Sequence, residues 1–351
     1  MDVSHTRAGP VTRLGGFVHH QLIWFLLASY ALAAVAPAAG LAFRQVRVGY
    51  GSVHATLPSL LLALLLFNAG LGAEPRRLRD LVRRSGALAA GLFANVFVPL
   101  TFILGLSLTL RMWHNPTEVQ SILVGLALIA SMPIAGSSTA WTQNADGDMA
   151  LSLGLVVGST LLSPLTTPAF LTAVGWVATG EFAAGLQGLA DGRSEAFLAT
   201  FVMAPSLAGI FARCLVGGPP LAPLKPALKL VNSAAVLTLC YSNAAVALPQ
   251  TIAAPDWDFL SVMLVIVTAL CVTGFAAGGL LSLALGADAG RRASLMFGLG
   301  MTNNGTGLVL ATTALAHLPD VLLPVIFYNL VQHVVAGVAA RLVMPSEVTA
   351  L

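Results

Sequence analysis

Carboxylates are scarce in this chain and absent from the interior of its apolar runs. Asp and Glu number 14 in 351 residues, and all of them fall at or beyond the ends of those runs. Residues of either charge make up 9% of the chain, against about 25% in soluble domains. A water-soluble fold of this size has no source for its polar surface here. The three cysteines, Cys214, Cys240 and Cys271, show no CxxC or CxxH spacing. That excludes a zinc or disulfide framework and reads as buried free thiols. No HExxH and no GxSxG occurs. Asp146-Gly-Asp148 lacks the first glycine of the GxGD pattern and has no intramembrane Asp partner, so an intramembrane hydrolase is disfavoured. A cation or proton antiporter of crossed-helix design would want an intramembrane Asp or Lys, and none is seen.

What is present is apolar. Hydrophobic residues are 57% of the chain, and the mean hydropathy is +0.87. The isoelectric point near 9.0 is not a nucleic-acid signal, because the basic residues lie in short segments between apolar runs. Ten such runs cover approximately 21–43, 53–73, 85–110, 118–145, 149–177, 195–217, 226–249, 257–286, 291–316 and 319–344. The first follows Arg7 and Arg13 and is long enough to span a bilayer, which takes about 20 residues; it reads as a membrane helix rather than a cleaved signal. With the N-terminus in the cytoplasm and the spans alternating, only Arg44, Arg47, Arg111 and Arg193 of the 17 Lys and Arg lie outside. The expectation is an all-α polytopic membrane protein of ten transmembrane helices. It would sit in a bacterial-type plasma (inner) membrane with both termini cytoplasmic, its partner the lipid bilayer and not nucleic acid.

Ten spans divide into two sets of five, 1–177 and 178–351, and an odd-numbered repeat inserts its second copy upside down. The fourth span of each set is the unusual one, and the second of each carries Asn-Ala in an apolar setting, Asn68-Ala69 and Asn243-Ala244. Inverted repeats with paired discontinuous helices are an architecture of secondary transporters.

The unusual stretch is Gly298-Leu-Gly-Met-Thr-Asn-Asn-Gly-Thr-Gly307. Glycine costs about 1 kcal/mol per residue in a helix relative to alanine, and unpaired amides and hydroxyls in lipid cost several kcal/mol each. Its counterpart holds Pro133, Gly136, Ser137, Ser138 and Thr139. Helix breaks are expected at Pro133, Gly136, Gly298, Gly300 and Gly305. They would free carbonyls to ligate a cation and N–H groups to hold an anion. Asp148 reads as the N-cap of the fifth span, with Ser152 one turn inside. On the tenth span Asn329, Gln332 and His333 share a helical face with Tyr328 beside them. His333 reads either as a hydrogen-bonded structural residue or as a proton relay.

In order, the chain carries Asn68-Ala-Gly-Leu, Pro133 through Ser138, Gly147-Asp148-Met-Ala-Leu-Ser152, Ser159-Thr-Leu-Leu-Ser-Pro164, Gly300-Met-x-Asn303-x-Gly305 and Tyr328-Asn329. This resembles the bile acid:sodium symporter family over nearly the whole chain. The resemblance implies a panel domain of spans 1, 2, 6 and 7 and a core domain of spans 3–5 and 8–10. It implies crossed, discontinuous spans 4 and 9, and uptake of a small organic anion driven by sodium as coupling ion. The implied sodium set is Ser138, Thr139, Ser152, Leu299, Met301 and Thr302. The implied substrate set is Asn303 and Asn304, Gly136 and Ser137, and Asn329 and Gln332. No catalytic residue is implied. Four positions depart from the family: Gly298 stands where a glutamate shared between two sodium sites is expected, Val156 where a threonine ligand is, Thr139 where an asparagine is and Thr302 where a glutamine ligand is. A sodium-independent or proton-linked anion transporter, and a ligand-binding membrane receptor without transport, are the alternatives.

Overall fold

The structure, a computed structural model, describes residues 21–50, 53–73, 85–217 and 219–343. Arg7, Arg13, Arg76, Arg77, Arg79, Arg83 and Arg84, expected on the cytoplasmic side, lie outside the described residues. The described chain is mostly helical. It begins with α1 (Leu22–Val35) and α2 (Ala38–Gln45), then a small antiparallel ribbon, β1 (Arg47–Tyr50) and β2 (Val53–Thr56). Next come α3 (Leu57–Gly72), α4 (Ser85–Leu110), α5 (Pro116–Ala130), α6 (Ser137–Asn144) and α7 (Met149–Gly175). The second half holds α8 (Gly180–Ala190), α9 (Arg193–Leu198), α10 (Ala204–Val216), α11 (Lys225–Ala244), α12 (Leu248–Ala253) and α13 (Trp257–Ala284). It closes with α14 (Ala289–Gly300), α15 (Asn304–Ala314) and α16 (Leu322–Val343).

Among the described residues, five stretches are long and apolar enough to cross a membrane: Gly86–Leu110, Met149–Gly175, Ser194–Val216, Trp257–Ala284 and Pro319–Val343. α1 and α2, which meet at 93° at Ala36-Pro37, make a sixth when counted together as one broken span. The seventh expected run is a single helix of 20 residues, α11, that carries Lys225 and Lys229 in its first turns and is less apolar than these; the remaining three are shorter or broken. α3 has 16 residues, only about 24 Å at 1.5 Å per residue. The fourth and ninth runs are each split into two helices, α5 with α6 and α14 with α15.

The carboxylates that the apolar runs exclude serve at helix starts. Asp148 accepts hydrogen bonds from the N–H groups of Ala150 and Leu151, Asp256 from Phe259 and Asp288 from Arg291. Asn115 caps α5 in the same way, with Pro116 in the first helical position. Glu118 is buried beneath that turn, where Trp113 and Asn115 donate to it. α7 continues through Pro164 and Pro168. Ahead of α10 a π-helical turn, Ala199–Met203, precedes Pro205, which has no N–H for the regular ladder.

α3, α10 and α11 pack together and α1 lies on α11, while α4, α5, α7, α13, α14 and α16 form the other group. The largest hydrophobic core centres on α5, whose residues Ile122 through Ile129 are buried without interruption. The tightest helix pair is α3 with α10. A Cβ on Gly209 would run into the Phe67 carbonyl and approach the Leu71 nitrogen to 2.8 Å, the close approach that small residues permit in lipid. Gly209→Val should therefore destabilise the protein by roughly 1–3 kcal/mol, read as a lower melting temperature in detergent. Gly72→Ala, where a Cβ meets nothing within 4 Å, should leave it unchanged.

Candidate functional site

The two helix breaks lie side by side. α5 ends at Ala130 and α6 starts at Ser137; α14 ends at Gly300 and α15 starts at Asn304. Between them Ile134 and Thr302 form an antiparallel bridge. The Ala135 N–H donates to the Met301 carbonyl at 3.0 Å, and the Asn303 N–H to the Pro133 carbonyl at 2.9 Å. Each break therefore satisfies backbone groups of the other, which an isolated break in lipid could not do. Ser159 receives the Ile134 N–H at 3.0 Å. Thr167 donates to the Ser131 carbonyl at 2.6 Å.

Not every expected breaking glycine lies in a break. Gly298 is helical, inside α14, and a Cβ there would sit 2.9 Å from Leu155 Cδ1. Gly300 is the last residue of α14, and Gly305 lies in the first turn of α15. The correction follows from packing. Gly298 lacks a side chain so that α14 can approach α7, and Gly300 has none because the Phe275 ring covers it. Pro133 lies in the first break and Gly136 is the N-cap of α6.

Five buried polar atoms around these breaks find no hydrogen-bond partner among the described residues. Three are on α6 and α7: Ser138 Oγ, Thr142 Oγ1 and Ser152 Oγ. Two are at the start of α15: Asn304 Nδ2 and Thr306 Oγ1. Ser138 and Thr142 are 0% exposed and Ser152 1%. An orphaned buried hydroxyl is costly, so these atoms are the ones here with bonding capacity to spare for water, an ion or a ligand. Thr306 belongs to the polar, glycine-rich stretch that the sequence marks out, whereas Thr142 was not singled out; its spacing from Ser138, one turn away, was the available signal.

The other expected residues have specific positions. Thr139 donates to the Gly136 carbonyl of its own helix at 2.7 Å. Met301 lends its carbonyl to the bridge. Thr302 Oγ1 donates to Asn304 Oδ1 at 3.1 Å. Asn303 Oδ1 caps α15 through the Thr306 N–H at 3.2 Å, and the residue is half-buried. Gly136 and Ser137 are exposed. Gln332 and Asn329 form a chain rather than lining an open wall. The Thr302 N–H donates to Gln332 Oε1, Gln332 Nε2 to Asn329 Oδ1, and Asn329 Nδ2 to the Tyr30 hydroxyl at 2.8 Å and towards Cys240 Sγ at 3.7 Å. The chain leads from the bridge to α1 and α11. Asn95, in the middle of α4, was missed. It lines two small cavities that flank the bridge, one with Leu299, Thr302 and Tyr328, the other with Ser131, Pro133 and Ser159.

The surroundings of the two breaks differ. α15 is enclosed: Thr306 through Thr312 are all buried, and Val309 packs among Leu62, Leu198, Val202 and Leu239. α6 packs on α7 and α14 but leaves Gly136, Ser137, Ala140, Gln143 and Asn144 exposed.

A model of the sodium bile acid symporter family matches residues 59–250, more than half of the chain. The chain belongs to the sodium bile acid symporter family. It is also similar to a Bacillus subtilis (strain 168) protein described as the uncharacterized sodium-dependent transporter YocS, at 30% identity over 110 residues. That match covers 31% of this chain and 32% of the relative.

Where the resemblance implies a sodium-binding glutamate, the region around Gly298 is apolar. Leu155 fills the space over Gly298, and Ile134, Leu151, Leu155, Leu295 and Leu299 form one buried cluster with Val156 against it. The cluster members are apolar side chains, and Ser159 Oγ beside them is occupied in accepting the Ile134 N–H.

Proposed function

We propose that this protein moves a small organic anion across the membrane by alternating access. The chain would cross ten times in two inverted five-span repeats, with α1, α3, α10 and α11 in a panel and α4–α7 and α13–α16 in a core. The observation that carries the reading is the backbone pairing of the two broken helices, which places N–H and C=O ends of four half-helices at one buried point. Asn303, half-buried at that point, is the proposed substrate contact. Gly136 and Ser137 present N–H groups at the start of α6 for the anionic group.

The orphaned hydroxyls of Ser138, Thr142 and Ser152 fit one sodium ion, a hard cation that takes oxygen ligands. The substrate's negative charge would supply the compensation that the protein does not. The apolar cluster around Leu155 argues against a second ion, so the proposed stoichiometry is one sodium at most.

The membrane orientation is part of the reading. The arginine and lysine distribution puts α6 on the cytoplasmic side and α15 on the outer side, in a plasma membrane of bacterial type. Exposure of α6 and enclosure of α15 then correspond to an inward-open conformation.

Reconstituted protein should accumulate a labelled carboxylate or sulfonate when an inward sodium gradient is imposed, and accumulate less when potassium replaces sodium. Equal accumulation in both salts would favour a sodium-independent carrier. No accumulation of any tested anion in either salt would overturn the reading.

A further inference from the structure

The enclosed side of the crossover is held by a cation. Arg44 lies near the end of α2, beyond the 93° bend that carries the chain away from α1. Its Nη1 donates to Asn243 Oδ1 at 2.6 Å and its Nη2 to the Thr312 carbonyl at 2.9 Å. Thr312 Oγ1 also donates to Asn243 Oδ1, at 3.3 Å. Asn243 ends α11, and Thr312 lies in the last turn of α15. A guanidinium is suited to this place. Its planar fork reaches two acceptors at once, and the carbonyl end of a helix attracts positive charge. α2 packs on α3 and α11, and α15 on α16 and α5 as well as on α3 and α11, so Arg44 joins α2, the panel helix α11 and the proposed core helix α15 at one side chain, on the proposed panel–core boundary.

The acceptors are neutral. Among the described residues no carboxylate lies within ion-pair distance of Arg44. Asn243 is fully buried, yet its Nδ2 has no acceptor among them. The contact is thus strong enough to close the boundary and incompletely satisfied, and water could replace both acceptors if the boundary opened. A carboxylate at 243 would turn this contact of an ion with a neutral amide into a hydrogen-bonded ion pair, harder to release.

We propose that Arg44 is the outer gate of this carrier: it ties α15 to the panel while the cytoplasmic side is open and must let go before the outer side opens. This rests on the alternating-access reading above. Arg44 acts here as a positioning residue, with no contact to substrate required.

Cys240 supplies a native reporter. It is buried on α11 one turn before Asn243 and receives Asn329 Nδ2 across the same boundary. In a Cys214→Ser, Cys271→Ser background, cells would be treated with a membrane-impermeant thiol reagent and the rate of Cys240 modification from outside measured. Arg44→Ala should raise that rate at least fivefold, and Asn243→Asp should lower it below the parent and slow uptake. Were Arg44→Ala poorly folded, Asn243→Asp would still decide. Rates within twofold of the parent in every folded variant, or a faster rate in Asn243→Asp, would overturn the gate. The labelling needs no substrate, so it separates the two ideas. A shifted rate without uptake of any anion would remove transport and keep the gate; uptake with unmoved labelling would remove the gate alone.

Discussion

Uptake should fall to background in Asn303→Asp while the protein remains as stable as the parent. Asn303 has two separable tasks. Its Oδ1 caps α15 by accepting the Thr306 N–H, and its Nδ2 is left for a ligand in the half-buried space between the breaks. Aspartate keeps the first task and improves it, since a carboxylate at a helix start is favoured by 0.3 to about 1 kcal/mol. It removes the donor and sets a negative charge where an organic anion must come. Asn303→Ala removes both tasks and should also lose about 1 kcal/mol of stability. Uptake in liposomes and melting in detergent, read on both variants, separate a ligand contact from a cap. Parent-like uptake by Asn303→Asp would remove Asn303 from the binding site.

Gly298→Glu should be the most destabilising single change in the core. The new side chain would start 2.9 Å from Leu155 Cδ1 and lie among Leu151, Leu155, Leu295 and Leu299. The side chains of that cluster are aliphatic and offer a carboxylate no hydrogen bond. An uncompensated buried carboxylate costs roughly 3–5 kcal/mol, so the melting temperature should drop by many degrees in potassium buffer. Adding Leu155→Ser makes room and supplies an oxygen. The double variant should recover part of the loss, and sodium should stabilise it further by mass action. A Gly298→Glu protein as stable as the parent in potassium would mean that the Leu155 cluster does not fill the site as described.

How much of this was legible in the sequence differs from residue to residue. The two breaks were, because a proline with a following glycine, and a dense run of glycine and amide residues, have few other uses inside apolar sequence. The capping role of Asp148 was too, since Asp-Met-Ala at the start of an apolar run is a local pattern. Gly298 was misplaced into the break for a general reason: a glycine that ends a helix and one that lets two helices touch look the same along the chain. Only the position of Leu155 distinguishes them. Asn95 gave no signal, being one amide in a long apolar helix, and it matters only through the cavities that packing creates beside it. The Arg44 contacts join residues 199 and 268 positions apart, beyond any local pattern. The charge rule placed Arg44 outside but could not say that it would turn inward onto α15. Gln332 and Asn329 were correctly placed on one face. That they would hydrogen-bond in series to Tyr30 depends on where α1 lies, which periodicity does not encode.

The bridge between the breaks is made by main-chain atoms: Pro133 and Met301 give carbonyls, Ala135 and Asn303 give N–H groups. Nothing in it depends on which side chains occupy 134, 301 or 302. Descendants of one ancestral carrier can therefore exchange the residues that face ions and cargo while inheriting the same frame intact. Glycine at 298 leaves that frame untouched, since the residue lies within α14 and gives no atom to the bridge.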